Sequence, residues 1–206
     1  MAEHMNNKNR QQRLRNFLKK LNKERKKQAK QIDMLCNDLI SSQRDFIKRL
    51  KTIDFRANFY ESIIGMTDLN DLLTTATDII KDKMDNANVV FFLNRSENFE
   101  IFSSGDSHMI SPENCFSPEL MKNICLSNKI CNIEDMFAMG LQGNLTGLNT
   151  ISAFTIPLGI SNSSQGFILI YRSLEKKLTR EEIKNVSAII NGLAQAIYSC
   201  QTIMHS

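Results

Sequence analysis

"FTIPLGISNSSQGFILIYRSLEKKLTREEIKNVSAIINGLAQAI", residues 154–197, contains three consecutive elements and the chemistry that separates them. "ISAFTIPLGI" and "GFILIYRS" are rich in β-branched and aromatic residues, and the intervening "SNSSQ" is made of the residues that turns prefer, so this is a β-hairpin. Thr179 and Glu182 then stand at the spacing of a capping box and open a helix that is expected to run to about Met204. Along it Ile183, Val186, Ile190, Leu193, Ile197, Cys200 and Met204 follow a continuous 3,4 spacing, with Ile189 and Ala196 as a second apolar flank. A helix apolar over more than the usual stripe is buried on two sides. The expectation is the sheet on one side and a partner's helix on the other.

Working backwards, "MTDLNDLLTTATDIIKDKMD" places Leu69, Leu72, Leu73, Ala76, Ile79, Ile80 and Met84 at helical spacing behind Thr67 or Asp68 as cap. "ANVVFFL", polar "NRSEN" and "FEIF" read as strand, turn and strand. Ser117, Pro118 and Glu119 make a helix start. "KICNIEDMFAMGLQGNLTGLNT" supplies a short strand, a helical turn and a glycine-containing loop. This order predicts an α+β domain over 58–206, an antiparallel sheet with helices on both faces.

In that order of elements the chain resembles a GAF domain. The residues that carry the resemblance are the 154–197 stretch, with its Pro-Leu strand and a second strand opening on glycine, and "SNKICNIEDM", a short strand ending in an acidic pair. The resemblance implies five or six antiparallel strands, first and last helices together on one face, and a pocket on the other. Phe102, Phe116, Met121, Met136, Phe137 and Phe154 would line such a pocket, and each serves equally well as plain core. The Asn-Lys, Phe and Asp-Glu pattern of cyclic-nucleotide binders is absent. So is the Cys followed by His of bilin binders, since Cys115, Cys125 and Cys131 precede Phe116, Leu126 and Asn132. The same three cysteines raise a cysteine-dependent methionine sulfoxide reductase of the GAF type. Against it, free cysteine is usually a small buried hydrophobe, and only Cys115 lies near a helix start.

Residues 1–57 form a separate, basic extension. The first glycine is Gly65 and the first proline Pro112, which permits an uninterrupted helix. Residues 1–30 hold eleven Lys and Arg against Glu3 and Glu24, a net +9, although the whole chain carries only +4. Leu14, Leu18, Leu21, Ile32, Leu35, Leu39, Phe46 and Ile53 fall in a coiled-coil register, interrupted by Arg25, Gln28, Ser42 and Arg49. With Ile190, Leu193 and Ile197 of the last helix, these seam residues predict a parallel homodimer. Lys19, Lys20, Lys23, Arg25, Lys26, Lys27 and Lys30 are the candidates for gripping an anionic partner.

His4, His108 and His205 are far apart, and no HExxH, P-loop or GxGxxG is present, so catalytic residues, metal and cofactor are all expected to be none. Five cysteines without a disulfide framework point to the cytoplasm. No apolar run approaches the ~20 residues that span a bilayer. The function expected is a non-enzymatic regulatory, signalling or scaffolding protein that dimerises through helices and docks on a partner carrying the output, with a small ligand as a candidate signal. The alternatives are a nucleic-acid-associated protein that binds through the basic helix, and the reductase.

Overall fold

The computed structural model describes residues 2–95, 98–103, 112–143, 145–160 and 163–204. His108, His205, Ser161 and Asn162 lie outside the described residues, as do the side chains of His4 and Met204. The chain divides into two compact units, Met1–Lys51 and Thr52–Ser206.

Helix α1, Ala2–Ile63, accounts for the whole described part of the first unit. With neither glycine nor proline before Gly65, nothing in the sequence breaks it, and it ends where Gly65 adopts a left-handed φ of 81°. Its last turns belong to the second unit, where Phe55, Phe59 and Ile63 are buried core residues. There Thr52 donates a hydrogen bond to Asn185 at 2.9 Å, and the Lys83 ammonium lies 5.6 Å from the Phe55 ring centre.

The second unit is a five-stranded antiparallel sheet in the order β2-β1-β5-β4-β3. Its strands are β1 (Asn88–Arg95), β2 (Asn98–Ser103), β3 (Cys131–Asn132), β4 (Ile151–Ile160) and β5 (Ser163–Ser173). On β1 the period-two alternation sends Val89, Phe91 and Leu93 to one face and Val90 and Phe92 to the other, and all five are buried. A strand apolar on both sides must be central and covered twice.

The first face is covered by α2 (Leu69–Lys83), α6 (Arg180–Ser187), α7 (Ile190–Met204) and the end of α1. The second is covered by α3 (Pro118–Ser127), α4 (Ile133–Ala138) and the loop with the short α5 (Leu145–Leu148). Asp68 is the residue that caps α2, accepting from the Asp71 N–H at 2.9 Å, and Ser117 caps α3. Asn132 and Asp135 form a capping box at α4, so the acidic pair of "CNIED" opens a helix and does not close the strand.

Two expectations need correction. The "SNSSQ" turn is shorter than read, because β5 starts at Ser163 and pairs back to Ile160, with an irregularity between Leu158 and Gly159. The final helix is two helices. The Thr179–Glu182 capping box is present, but at Ile189 the N–H bonds to Val186 at 3.0 Å, an i−3 bond that breaks the α-helical ladder. Val186, before the break, and Ile189 and Ile190, at and after it, all enter one core.

Candidate functional site

Three places could carry function: the exposed length of α1, the second face of the sheet, and a charged node behind the first face. On α1, successive side chains turn by about 100°, so residues three and four apart line up. Leu14, Leu18, Leu21, Ile32, Leu35 and Leu39 therefore form one stripe, and all are exposed, Leu35 to 67% and Leu39 to 60%. Phe46 and Ile53 continue it, exposed to 61% and 60%. Arg25, Gln28, Ser42 and Arg49 interrupt the stripe. Lys19, Lys23, Lys26 and Lys30 run along the opposite side of the helix, with Lys20 and Lys27 beside them, all exposed. The cations thus stand away from the apolar stripe, Arg25 excepted. A shallow depression lies around Ser41 and Ser42, bordered by Asp38, Asp45, Phe46 and Arg49.

The three candidate seam residues of the last helix are placed differently. Ile190, Leu193 and Ile197 are buried against the chain's own sheet and α2, at 5%, 0% and 0% exposure. They are core residues of one subunit and offer a partner no surface. Tyr198 and Ile203 are the large apolar side chains that α7 exposes among the described residues.

The six pocket candidates divide between two faces. Phe116, Met121 and Met136 are buried on the second face, with Phe137 partly buried beside them. Phe102 and Phe154 pack on the first, since Phe154 shares its strand parity with Ile156 and Leu158. No single pocket collects them. On the second face Phe92 stacks on Phe167 with centroids 4.5 Å apart, and Phe116 completes the cluster at 5.0 Å and 5.9 Å from them. Phe116 is therefore engaged in packing. Two oxygens on this side, Thr155 Oγ1 and Gln165 Oε1, are buried without a hydrogen-bond partner among the described residues. Tyr171 donates a long hydrogen bond to Glu113 at 3.4 Å. Burial and then the Glu113 charge hold its hydroxyl protonated well above the ordinary range.

Cys125 and Cys131 are buried thiols, and Cys115 is half-buried against the Gly143 backbone. Burial pushes the Cys125 thiol up, against a weaker opposing hydrogen bond from Ser164, which is the reverse of what a thiolate nucleophile needs. Among the described residues no group of three or more His, Cys, Asp or Glu could hold a metal ion.

The charged node was not anticipated from sequence. Arg172, at the end of β5, is 7% exposed and donates to the Asp85 carbonyl at 3.2 Å, the Lys177 carbonyl at 2.9 Å and Glu182 Oε2 at 2.8 Å. The same carboxylate oxygen accepts from the Thr179 N–H and hydroxyl, each at 2.7 Å. Burial alone would raise the Glu182 pKa, but the Thr179 and Arg172 hydrogen bonds outweigh it and the net shift is downward. The node ties the α2–β1 connection, β5 and the start of α6 together. A lone Arg after an apolar strand, ten residues before a capping-box Glu, was the available signal.

No family profile matches this sequence, and no curated protein matches it. Solved structures do match. The GAF domain of a phosphoenolpyruvate-protein phosphotransferase from Acinetobacter aligns over 76% of this chain and 98% of its own, at a TM-score of 0.57 and 14% identity. That of a two-component sensor histidine kinase from Bacillus halodurans aligns over 68% and 99%, at 0.51 and 16%. A GAF domain/HD domain protein from Geobacter sulfurreducens aligns over 68% and 98%, at 0.51 and 13%. At such identities the likeness concerns fold alone. Sheet order, two-sided helical cover and these alignments agree that the second unit has the GAF fold.

Proposed function

We propose that this protein is a non-enzymatic regulatory module, a GAF-type domain that assembles as a homodimer through α1 and passes its signal to a partner carrying the output. Its fold neighbours include GAF domains of a sensor histidine kinase and of phosphotransferases, which supports a signalling role. The observation that carries the assembly reading is the face of α1. Eight of the thirteen exposed large apolar side chains between Leu14 and Ile53 share one stripe. Exposed apolar surface gathered on one face marks an interaction site. No described helix is long and apolar enough to cross a membrane, and a reducing cytoplasm suits five free cysteines.

The domain acts by holding shape rather than by chemistry. Phe92, Phe116 and Phe167 pack together on its second face, and burial disfavours the Cys125 thiolate, which supports this reading. Methionine sulfoxide reduction by the purified chain with a thiol reductant would contradict this.

A second reading is favoured by the placement of the cations. Because Lys19, Lys23, Lys26 and Lys30 stand opposite the apolar stripe, pairing through the stripe leaves them free to meet an anionic partner, nucleic acid included. Reversing all four to Glu changes the rod by eight charges and removes no stripe residue. Exposed ion pairs are worth at most ~1 kcal/mol each, so helix and dimer are expected to survive. Titration with a short duplex DNA at several salt concentrations is expected to show binding by the parent, with a steep salt slope, and its loss in the variant. Equal affinity and slope in the two would make the basic run a solvated face.

A further inference from the structure

We propose that α1 pairs antiparallel with α1 of a second copy, in the register that sets Leu14 against Ile53 and Ile32 against Leu35, with Arg25 of each chain seated at the Ser42 depression of the other. The proposal rests on the homodimer reading above and gives it an orientation. A parallel order, expected from sequence, drew part of its support from α7, and the buried placement of Ile190, Leu193 and Ile197 removes that support.

Charge argues against the parallel order. It would set Arg25 against Arg25 and Arg49 against Arg49 inside the seam, and lay the +9 of residues 1–30 along a second +9. Like charges directly across an interface cost several kcal/mol. In the antiparallel register residues 8–30 instead lie along residues 37–59 of the other chain. That segment holds Asp38, Asp45 and Asp54 against five cations, a net of only +2.

Every polar position of the stripe then meets a tolerant neighbour. Arg49 falls against Leu18, beside which its long stem can lie while the charge reaches water. Gln28 falls against Leu39. The other layers are apolar on both sides: Leu21 on Phe46, Leu14 on Ile53 and Ile32 on Leu35.

Arg25 supplies the most specific match. Its level in the second chain is Ser42, where Ser41 and Ser42 leave the depression and Asp38, Asp45, Phe46 and Arg49 border it. A long cation thus meets a small-residue dent whose border carries two carboxylates against one guanidinium, twice per dimer by symmetry. A register shifted by one heptad towards the C-terminus would put Arg25 on Arg49, and one shifted the other way would set Ile53 level with the polar Asn7.

Spin labels test the orientation on the full chain with Cys36 and Cys115 replaced by serine. A label at Asn16→Cys is expected to give an inter-chain distance of about 50 Å or more, because Asn16 lies at the level of residue 51 of the other chain and each residue adds roughly 1.5 Å. A parallel dimer would give roughly 25 Å there, from two adjacent helices. Asp33→Cys is near the pair's centre and is expected to give a short distance, which shows that the chains are paired. A short distance at both sites overturns the orientation while leaving the homodimer intact, whereas a monomer in sedimentation overturns the homodimer reading as well. Charge exchange gives the independent check. Arg25→Glu is expected to weaken the dimer about tenfold or more, and adding Asp38→Lys and Asp45→Lys to restore it. Failure of the triple variant to recover, with circular dichroism still helical, counts against the Arg25 seat.

Discussion

Replacing Gly166 with alanine is expected to destabilise the domain by about 3 kcal/mol or more, lowering the melting temperature by roughly 6–12 °C. Gly166 opens the central part of β5, paired to Leu93 on one side and Leu158 on the other, with φ at 138°. An added Cβ would collide with the Phe92 carbonyl oxygen and stand 2.9 Å from Phe92 C and 3.0 Å from Leu93 Cα. All of these are backbone atoms of a strand covered on both faces, so relief requires the sheet to move. Gly65→Ala is the control. Gly65 also has a positive φ, 81°, but nothing lies within 4 Å of its missing Cβ, so only the conformational cost of about 1 kcal/mol is expected. Equal melting temperatures for the two variants would mean that close backbone approach is not what Gly166 provides.

Arg172→Met is expected to cost about 2–3 kcal/mol in denaturant unfolding, at or below the low end of the range for removing one partner of a buried ion pair, because Arg172 is buried and Glu182 only partly so. Methionine fills most of the volume but leaves the Asp85 and Lys177 carbonyls and Glu182 without their donor. The pH dependence follows from the Glu182 carboxyl, which the folded chain holds below its ordinary 4.5. A depressed carboxyl stabilises the fold fully above the unfolded value, and this stability is lost as pH falls through the folded value. The parent should therefore lose stability in acid below about pH 4.5, and the gap between parent and Arg172→Met should narrow there. The Thr179 hydrogen bonds remain in the variant, so part of the acid sensitivity should remain too. A gap that is constant down to pH 3 would show that Glu182 is not the partner that matters.

The hairpin strands and the caps were legible because each is set by chemistry within a few residues: the β-branched and aromatic runs on either side of the polar "SNSSQ", Thr179 with Glu182, Ser117 before Pro118. The division of the apolar residues between two faces was legible in principle. Phe154 shares parity with Ile156 and Leu158, and that alternation would have separated it from Phe116 and Met121. What sequence could not supply was long-range. The break at Ile189 is marked by the i−3 bond to Val186, and no glycine or proline between Glu182 and Ile190 announces it. Phe55 was read as rod, within 1–57, although Phe55, Phe59 and Ile63 recur at four-residue intervals and all three are buried in the domain. Arg172 binds atoms near Asp85, Lys177 and Glu182, a set that only the folded sheet brings together.

Sedimentation of the chain with Leu35 and Leu39 both changed to Asp tests most directly whether the apolar face of α1 is the working surface. The parent is expected to run at the mass of two chains and the variant at one. Unfolding of the domain beyond Thr52 should be unchanged in the variant, since neither residue belongs to its core. A variant that remains dimeric would place the interface off this face and contradict the account.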